Sequence, residues 1–283
     1  AIARGGGVNL NAGTAGQAYA QIGHGGQNAD GSHSGKIVVL AEGNTLLNGN
    51  NGGNAYAQIG HGGDDTNGNH TGDIAVSIDG DLELNSGNAG ERYAAIGHGS
   101  NANPGTHNGS IYTRATGEIS LVNNGGDAQI RHFDNFTAGN DYVLLAGGLD
   151  TATGNSGNNT ITITNTEWDP METLLINGGD VSIGGLGANV NLIMNAPNAA
   201  AYASTQALNL LSENDITFLQ GVQNTSSGDV NVVAGWDGLG FAPTGAIMTP
   251  GAITPGGHGS ADLIYCPPVS FVYDFTINKS AMG

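Results

Sequence analysis

Of the eight histidines in this chain, six fall at one repeated step. His24, His61 and His98 are 37 residues apart, and so are His33, His70 and His107. Imidazole is the commonest side-chain metal ligand. The spacing argues against a metal, however. If each period forms two coils, equivalent histidines stand about 9–10 Å apart, twice the strand spacing. One ion with bonds of about 2 Å does not bridge that gap. His24 could reach His33 of its own repeat only if the loop between them folds back. The flanking glycines make no phosphate cradle, since no run completes G-x-G-x-x-G and Gly35-Lys36 lacks a following Ser or Thr. The histidines therefore read as turn and packing residues.

Carboxylates are the other candidates. Calcium takes oxygen ligands, and Asp64-Asp65-Thr66-Asn67-Gly68 is the best loop for it, through Asp64, Asp65 and Asn67. Its counterparts Gln27–Gly31 and Asn101–Gly105 do not keep the two aspartates, so a solvated turn is the plainer reading. Glycoside hydrolysis needs two carboxylates flanking a sugar bond. Asp215 with Asp229, or Glu167 with Asp169, could supply such a pair, and Trp168 and Trp236 are the only tryptophans for a sugar platform. A lyase base would have to come from six Lys and Arg residues. No Ser/His/Asp order stands out. The expectation is a chain that is not an enzyme and needs no cofactor, with calcium as the one ion its chemistry would suit.

What positions these residues is a repeat. Ala18-Tyr19-Ala20-Gln21-Ile22-Gly23-His24-Gly25-Gly26 returns as Ala55–Gly63, and in altered form as Arg92–Ser100. Tyr19, Tyr56 and Tyr93 keep the 37-residue step, as do Ile37, Ile74 and Ile111. A fourth copy, Ala128-Gln129-Ile130-Arg131-His132, comes three residues early and lacks the glycine before its histidine. A fixed period of this size means stacked units that bury their apolar faces on one another. Within each period, apolar and polar residues alternate in short runs such as Ile74-Val76-Ile78 and Leu82-Leu84, the signature of half-buried strands. The predicted fold is all-β, a coil of short parallel strands whose 37-residue repeat makes a double coil. Ile37, Ile74 and Ile111 should share one core line, and Leu47 and Leu84 another.

Composition agrees. The chain has 283 residues with 50 glycines, 11% charged residues and a formal charge of -18. Gly, Asn, Asp and Thr beside short Ile/Val/Leu runs favour strands and tight turns over long helices. No basic residue lies between Arg131 and Lys279, which makes nucleic acid and anionic lipid improbable partners. No stretch has the roughly 20 apolar residues of a membrane-spanning helix. The single cysteine, Cys266, excludes an internal disulfide framework. Sequons occur at Asn69, Asn108, Asn135, Asn158, Asn224 and Asn278. The sequence opens inside the repeat pattern without a signal peptide, as a piece of something longer would.

Four regions follow. Residues 1–132 carry the regular repeats, and 133–170 are expected to be irregular coils or an insertion. Coils resume over 171–240, and 241–283 form a Pro-rich terminal segment with a possible last strand at Val269–Phe275.

The Tyr-Ala-Gln-Ile-Gly-His-Gly-Gly phrase occurs with Gly-Asp-Ile/Val-x-Val, Glu213-Asn214-Asp215-Ile216-Thr217 and Val233-Ala234-Gly235-Trp236-Asp237-Gly238. Together they resemble the repeat region of filamentous-haemagglutinin-type exoproteins, the large bacterial two-partner-secretion adhesins. The likeness covers most of residues 1–240; the family's amino-terminal secretion domain is not among the residues. It implies a right-handed parallel β-helix, or solenoid. It also implies an extracellular or cell-surface location and a role as stalk, filament body or attachment surface. Expected partners are a host-cell, glycan or other surface receptor and further copies joined end to end or laterally. Two alternatives stand beside this. One is a β-helix polysaccharide hydrolase or lyase, the other a glycan- or receptor-binding module on the 134–170 insertion.

Overall fold

The computed structural model describes residues 1–100, 104–133, 141–151, 160–187 and 190–234, with the strand pieces Ile247–Met248, Ile253–Thr254 and Ala261–Leu263. Asn101–Asn103, Phe136, Trp236, Cys266, the prolines from Pro243 onward, the strand expected at Val269–Phe275 and the sequons at Asn135, Asn158 and Asn278 lie outside the described residues. The fold is all-β with parallel sheets, joined by one α-helix and one short 3-10 helix among the described residues.

Each repeat contributes strands to three sheets. Ile37–Ala41 and Thr45–Asn48 belong to a large sheet of twelve strands, Tyr56–Ile59 to a sheet of four, and His70–Thr71 to a sheet of three. Each strand pairs in parallel with its own counterpart: Ile37 with Ile74, Leu47 with Leu84, Tyr19 with Tyr56, and His33 with His70. One 37-residue repeat is therefore one layer, and the double coil expected from the sequence is corrected. A period fixes how often the chain returns to the same position but not how many layers it makes on the way. Here the unit closes a single wide layer, because four strands and a folded-back loop take up its length.

Ile111–Val122 pairs with Ile74–Ile78 over its first part and with Leu82–Asn85 over its last. It carries the large sheet through a corner, with a register shift between Ala115 and Glu118. Beyond it the strict period ends while the register persists. Ile111 meets Tyr142, Tyr142 meets Val181, Val181 meets Leu208 and Leu208 meets Val230. The steps between successive layers become 31, 39, 27 and 22 residues. Only the connections change length, which a stack of nearest-neighbour layers tolerates.

The segment expected to be irregular holds the regular strand Tyr142–Thr151, paired on both sides, then Thr160–Ile163 and helix α1, Asn165–Ile176. Thr164 and Glu167 close a capping box at its start. Its buried residues Trp168, Met171, Leu174 and Leu175 recur every three to four positions and meet the core.

The core is a set of columns. Ile37, Ile74, Ile111, Tyr142, Val181, Leu208 and Val230 follow one another in register, and all are buried in one cluster. Leu47 and Leu84 continue a second column to Leu121. Ile74 is fully buried between two isoleucines, so nothing can collapse into the space it leaves. Ile74→Ala should cost about 2–5 kcal/mol, measured by urea unfolding. A loss below about 1 kcal/mol, the range of surface substitutions, would mean that the column is not packed as described.

Candidate functional site

The tyrosines and glutamines that recur in the repeat gather on the sheet formed by Tyr19–Ile22, Tyr56–Ile59, Ala94–Ile96 and Ala128–Ile130. Ala57 and Ile59 face the core, so the alternation sends Tyr56 and Gln58 to the opposite face. They are nonetheless fully buried, because the segment after the Gly-His-Gly turn folds back across them. A Cβ on Gly63 would stand 2.3 Å from the Tyr56 hydroxyl oxygen.

Three ladders result. Tyr19, Tyr56 and Tyr93 stack with ring centroids 5.2 and 4.8 Å apart, and Phe133 closes the column edge-on. His24, His61, His98 and His132 stack at 5.1, 4.9 and 4.8 Å, half the separation the sequence reading gave them. His33, His70 and His107 form a second histidine column at 5.3 Å per step. Gln21 and Gln58, whose types alone indicate no role, bridge the layers. The Gln21 side-chain amide donates to the Gly60 and Gly62 carbonyls of the next layer, and Gln58 does the same to Gly97 and Gly99. The one available signal was that this glutamine also keeps the 37-residue step, until Ala95 replaces it.

The first histidine column has a fixed chemistry. The His24 backbone N–H donates to His61 Nδ1 at 3.0 Å, and His61 Nε2 meets the Gly35 carbonyl at 2.9 Å. His98 repeats this with His61 N–H and Gly72, and His132 with His98 N–H and Gly109. Since Nδ1 accepts, the proton sits on Nε2 and is donated to the carbonyl. The neutral ring satisfies both bonds, and a second proton would break one. Burial lowers the pKa of His98 to about 2 and that of His132 to about 4. In the second column burial lowers His70 and His107 to about 4, and both His107 ring nitrogens are buried without a hydrogen-bond partner.

The glycines follow from the same closeness. A Cβ on Gly60 would lie 1.8 Å from the Gly97 carbonyl oxygen, and one on Gly97 would lie 2.0 Å from that of Arg131. Arg131 follows Ala128–Ile130, the last strand of this sheet among the described residues, and no carbonyl of a further layer stands against it there. The missing glycine of the fourth copy marks the end of the ladder.

The carboxylates weighed as weak candidates for calcium or for sugar cleavage serve turns, caps and strand starts. Asp64 is buried and accepts from Gln27 and Asn54, its pKa raised by burial. Asp65 is exposed, and Asn67 bonds to Asp30. Among the described residues, no group of three or more His, Cys, Asp or Glu is arranged to hold a metal ion. Asp215 and Asp229 sit just before strands of two different sheets. Glu167 caps α1, Asp169 accepts from Asn198, and Trp168 is buried against Tyr202 rather than offered as a platform. Asp73, Ser110, Asp141 and Asp180 form a further ladder, each side chain accepting a backbone N–H from the next layer. Asn224 of one sequon is buried and bonded to Ser204, Ser226 and Gly228.

One cleft of about 230 Å³ opens between α1 and the strands Ala128–Ile130 and Tyr142–Thr151. Leu121, Leu149, Met171 and Leu174 make it largely apolar, with Gln129, Asp127, Arg131 and Glu167 among its polar members. Compared with protein-family models, curated proteins and solved structures, the chain finds no significant match. No helix among the described residues is long and apolar enough to cross a membrane.

The buried histidines make stability depend on pH. Their folded pKa values lie below the ordinary 6.5, so the unfolded chain takes up protons first as pH falls. Stability is complete above about pH 6.5 and is lost from there towards pH 4. Each such histidine contributes at most about 1.4 kcal/mol per pH unit within that window. Urea midpoints should drop steeply between pH 6.5 and 4.5, and His107→Gln should flatten the slope by about one proton. A flat profile in the wild type would show that these rings protonate freely in the folded chain.

Proposed function

We propose that this chain is a segment of right-handed parallel β-helix from a secreted or cell-surface protein, acting as a stalk, filament body or attachment surface. The observation that carries this reading is the destination of the polar groups. The histidines of the first column, the glutamines Gln21 and Gln58, and the turn aspartates Asp73, Asp141 and Asp180 are bonded to the neighbouring layer. What remains for function is shape, length and an acidic exterior. Resemblance to the adhesin repeats supports the same role, with a glycan or other surface receptor as the expected partner. Catalysis is the weaker reading, since Trp168 is buried, Glu167 closes a helix cap, and Asp215 and Asp229 precede strands of different sheets.

A binding role for the α1 region is the second reading, favoured by the cleft beside Tyr142 and Met171. Tyr142, Leu144, Leu149, Thr166, Glu167 and Pro170 of its lining fall within residues 134–170.

Nine strands follow one another along the large sheet. At about 4.8 Å per strand they should give an axial length of about 40 Å. Electron microscopy of the native, unprocessed particle should show a rod that lengthens in proportion to the number of layers. Incubation with acidic and neutral polysaccharides, with and without calcium, should release no reducing or unsaturated ends. Reproducible release that disappears in Asp215→Asn or Asp229→Asn would replace the structural reading with an enzymatic one. Glycan binding abolished by Met171→Trp, with the rod unchanged, would favour the second reading.

A further inference from the structure

Between each Gly-His-Gly turn and the next strand of the large sheet, the chain runs back over the tyrosine-bearing sheet. In the second repeat this returning segment is residues 61–72. It contains no aliphatic side chain, and its only rings are the two imidazoles of His61 and His70. Tyr56 and Gln58 lie fully buried beneath it. With no apolar core of its own, the segment is held by hydrogen bonds and by the fit of its histidines. The bonds have the form of a clasp. His98 Nδ1 accepts the His61 N–H while its Nε2–H is donated to the Gly72 carbonyl, so one ring ties both ends of residues 61–72. His61 ties His24 to Gly35 in the same way, and His132 ties His98 to Gly109. His70–Thr71 pairs with His33–Ser34 on one side and His107–Asn108 on the other, so the returning segments form one flap. Glycines at positive φ stand near its two ends, Gly62 at 92° and Gly72 at 137°, where the backbone turns with little steric resistance.

We propose that this flap is an acid-released cover: protonation of its histidine clasps frees it as a unit from the tyrosine-bearing sheet, while the large sheet stays folded. A ring that takes a second proton no longer accepts at Nδ1, so each clasp loses one of its two ends. In the second column both His107 ring nitrogens are buried without a partner, so a charge there has no hydrogen bond to receive it. The charges acting on these rings come from other histidines. His24 and His33 act on His61, His33 and His61 on His70, His132, His61 and His107 on His98, and His70 and His132 on His107. Each proton on the closed flap therefore makes the next less favourable, and opening relieves that repulsion. Among neighbouring groups, Tyr56 and Tyr93 stay neutral because burial raises their pKa values, Arg131 and Asp65 are exposed, and Asp73 is engaged by the Ser110 N–H. Asp64 acts in the opposite direction: burial raises its pKa, so acid favours closure through this one carboxyl. Burial first, and then the neighbouring rings, lower the pKa values of His70, His98 and His107 in the closed form alone. Closure is complete above about pH 6.5 and is lost as the pH falls towards 4. The column of the large sheet that runs through Ile74, Ile111, Tyr142, Val181, Leu208 and Val230 contains no histidine, so acid leaves its packing intact. The device operates whether the chain is a stalk or a binding module.

Hydrogen exchange of the full chain, resolved by residue from about pH 7.5 down to about pH 4.5, tests it. The Gly62, His70 and Gly72 amides are bonded to the His24, Thr106 and Asn108 carbonyls and should be protected at the upper pH. At the lower pH we expect their protection factors to have fallen by about 100-fold or more, while Val76, Leu210 and Val232 stay protected. Flap and large sheet losing protection together, in one transition, would overturn the proposal, because acid would then unfold the whole stack. A flap still protected at about pH 4.5 would overturn it too. In His98→Gln the opening curve should be less steep by about one proton, whichever way its midpoint moves. If that variant does not fold, His107→Gln reads the same slope at a ring that makes no hydrogen bond. Steepness unchanged in a folded variant would show that these rings are not the trigger. Asp64→Asn should open as the wild type does, and opening abolished by it would assign the trigger to a carboxylate instead.

Discussion

Identical residues in this protein meet across a single strand spacing, and most other features of the structure follow from that closeness. A carbonyl of one layer occupies the position where a Cβ on the glycine of the adjacent layer would stand. The glycines of the Gly-His-Gly turns are therefore fixed by the neighbouring layer as much as by local backbone geometry. Side chains that share a column must also be able to pack on copies of themselves. Aromatic rings, imidazoles, amides and branched aliphatics all can. Like charges at about 5 Å cannot without penalty, and the buried aromatic rings stacked in columns are neutral.

The same closeness accounts for the electrostatics. A protonated histidine column would place positive charges one strand spacing apart inside a buried layer. Burial and the bond from each backbone N–H to the next Nδ1 hold these rings neutral. Some polar atoms remain buried without a partner, among them the Tyr93 hydroxyl and Trp168 Nε1. Each such atom costs on the order of 1–3 kcal/mol. The stack absorbs this because every layer adds apolar core contacts and backbone bonds of its own.

Where the repeated polar residues hydrogen-bond, as Gln58 and His98 do, their partners lie in the neighbouring layers. The repetition breaks at the cleft beside α1, where the tyrosine-bearing sheet has ended and a helix packs instead.

By itself the sequence determined the strand type, the parallel pairing of equivalent residues and the membership of the core columns. A two-residue alternation carried on a fixed period leaves one arrangement in which Ile37, Ile74 and Ile111 all escape water. It did not determine the number of layers per repeat, because 37 residues can close one wide layer or two narrow ones. Nor did it reveal that Gln58 bridges layers, since an amide's partners are set by which carbonyls arrive beside it. Helix α1 was partly legible in Thr164-x-x-Glu167, yet Pro170 inside it and the strands on either side concealed it. The candidate carboxylates were visible as residue types only. Tertiary structure alone decided their positions, because closeness between Asp215, Asp229, Glu167 and Asp169 depends on connections whose lengths no longer repeat.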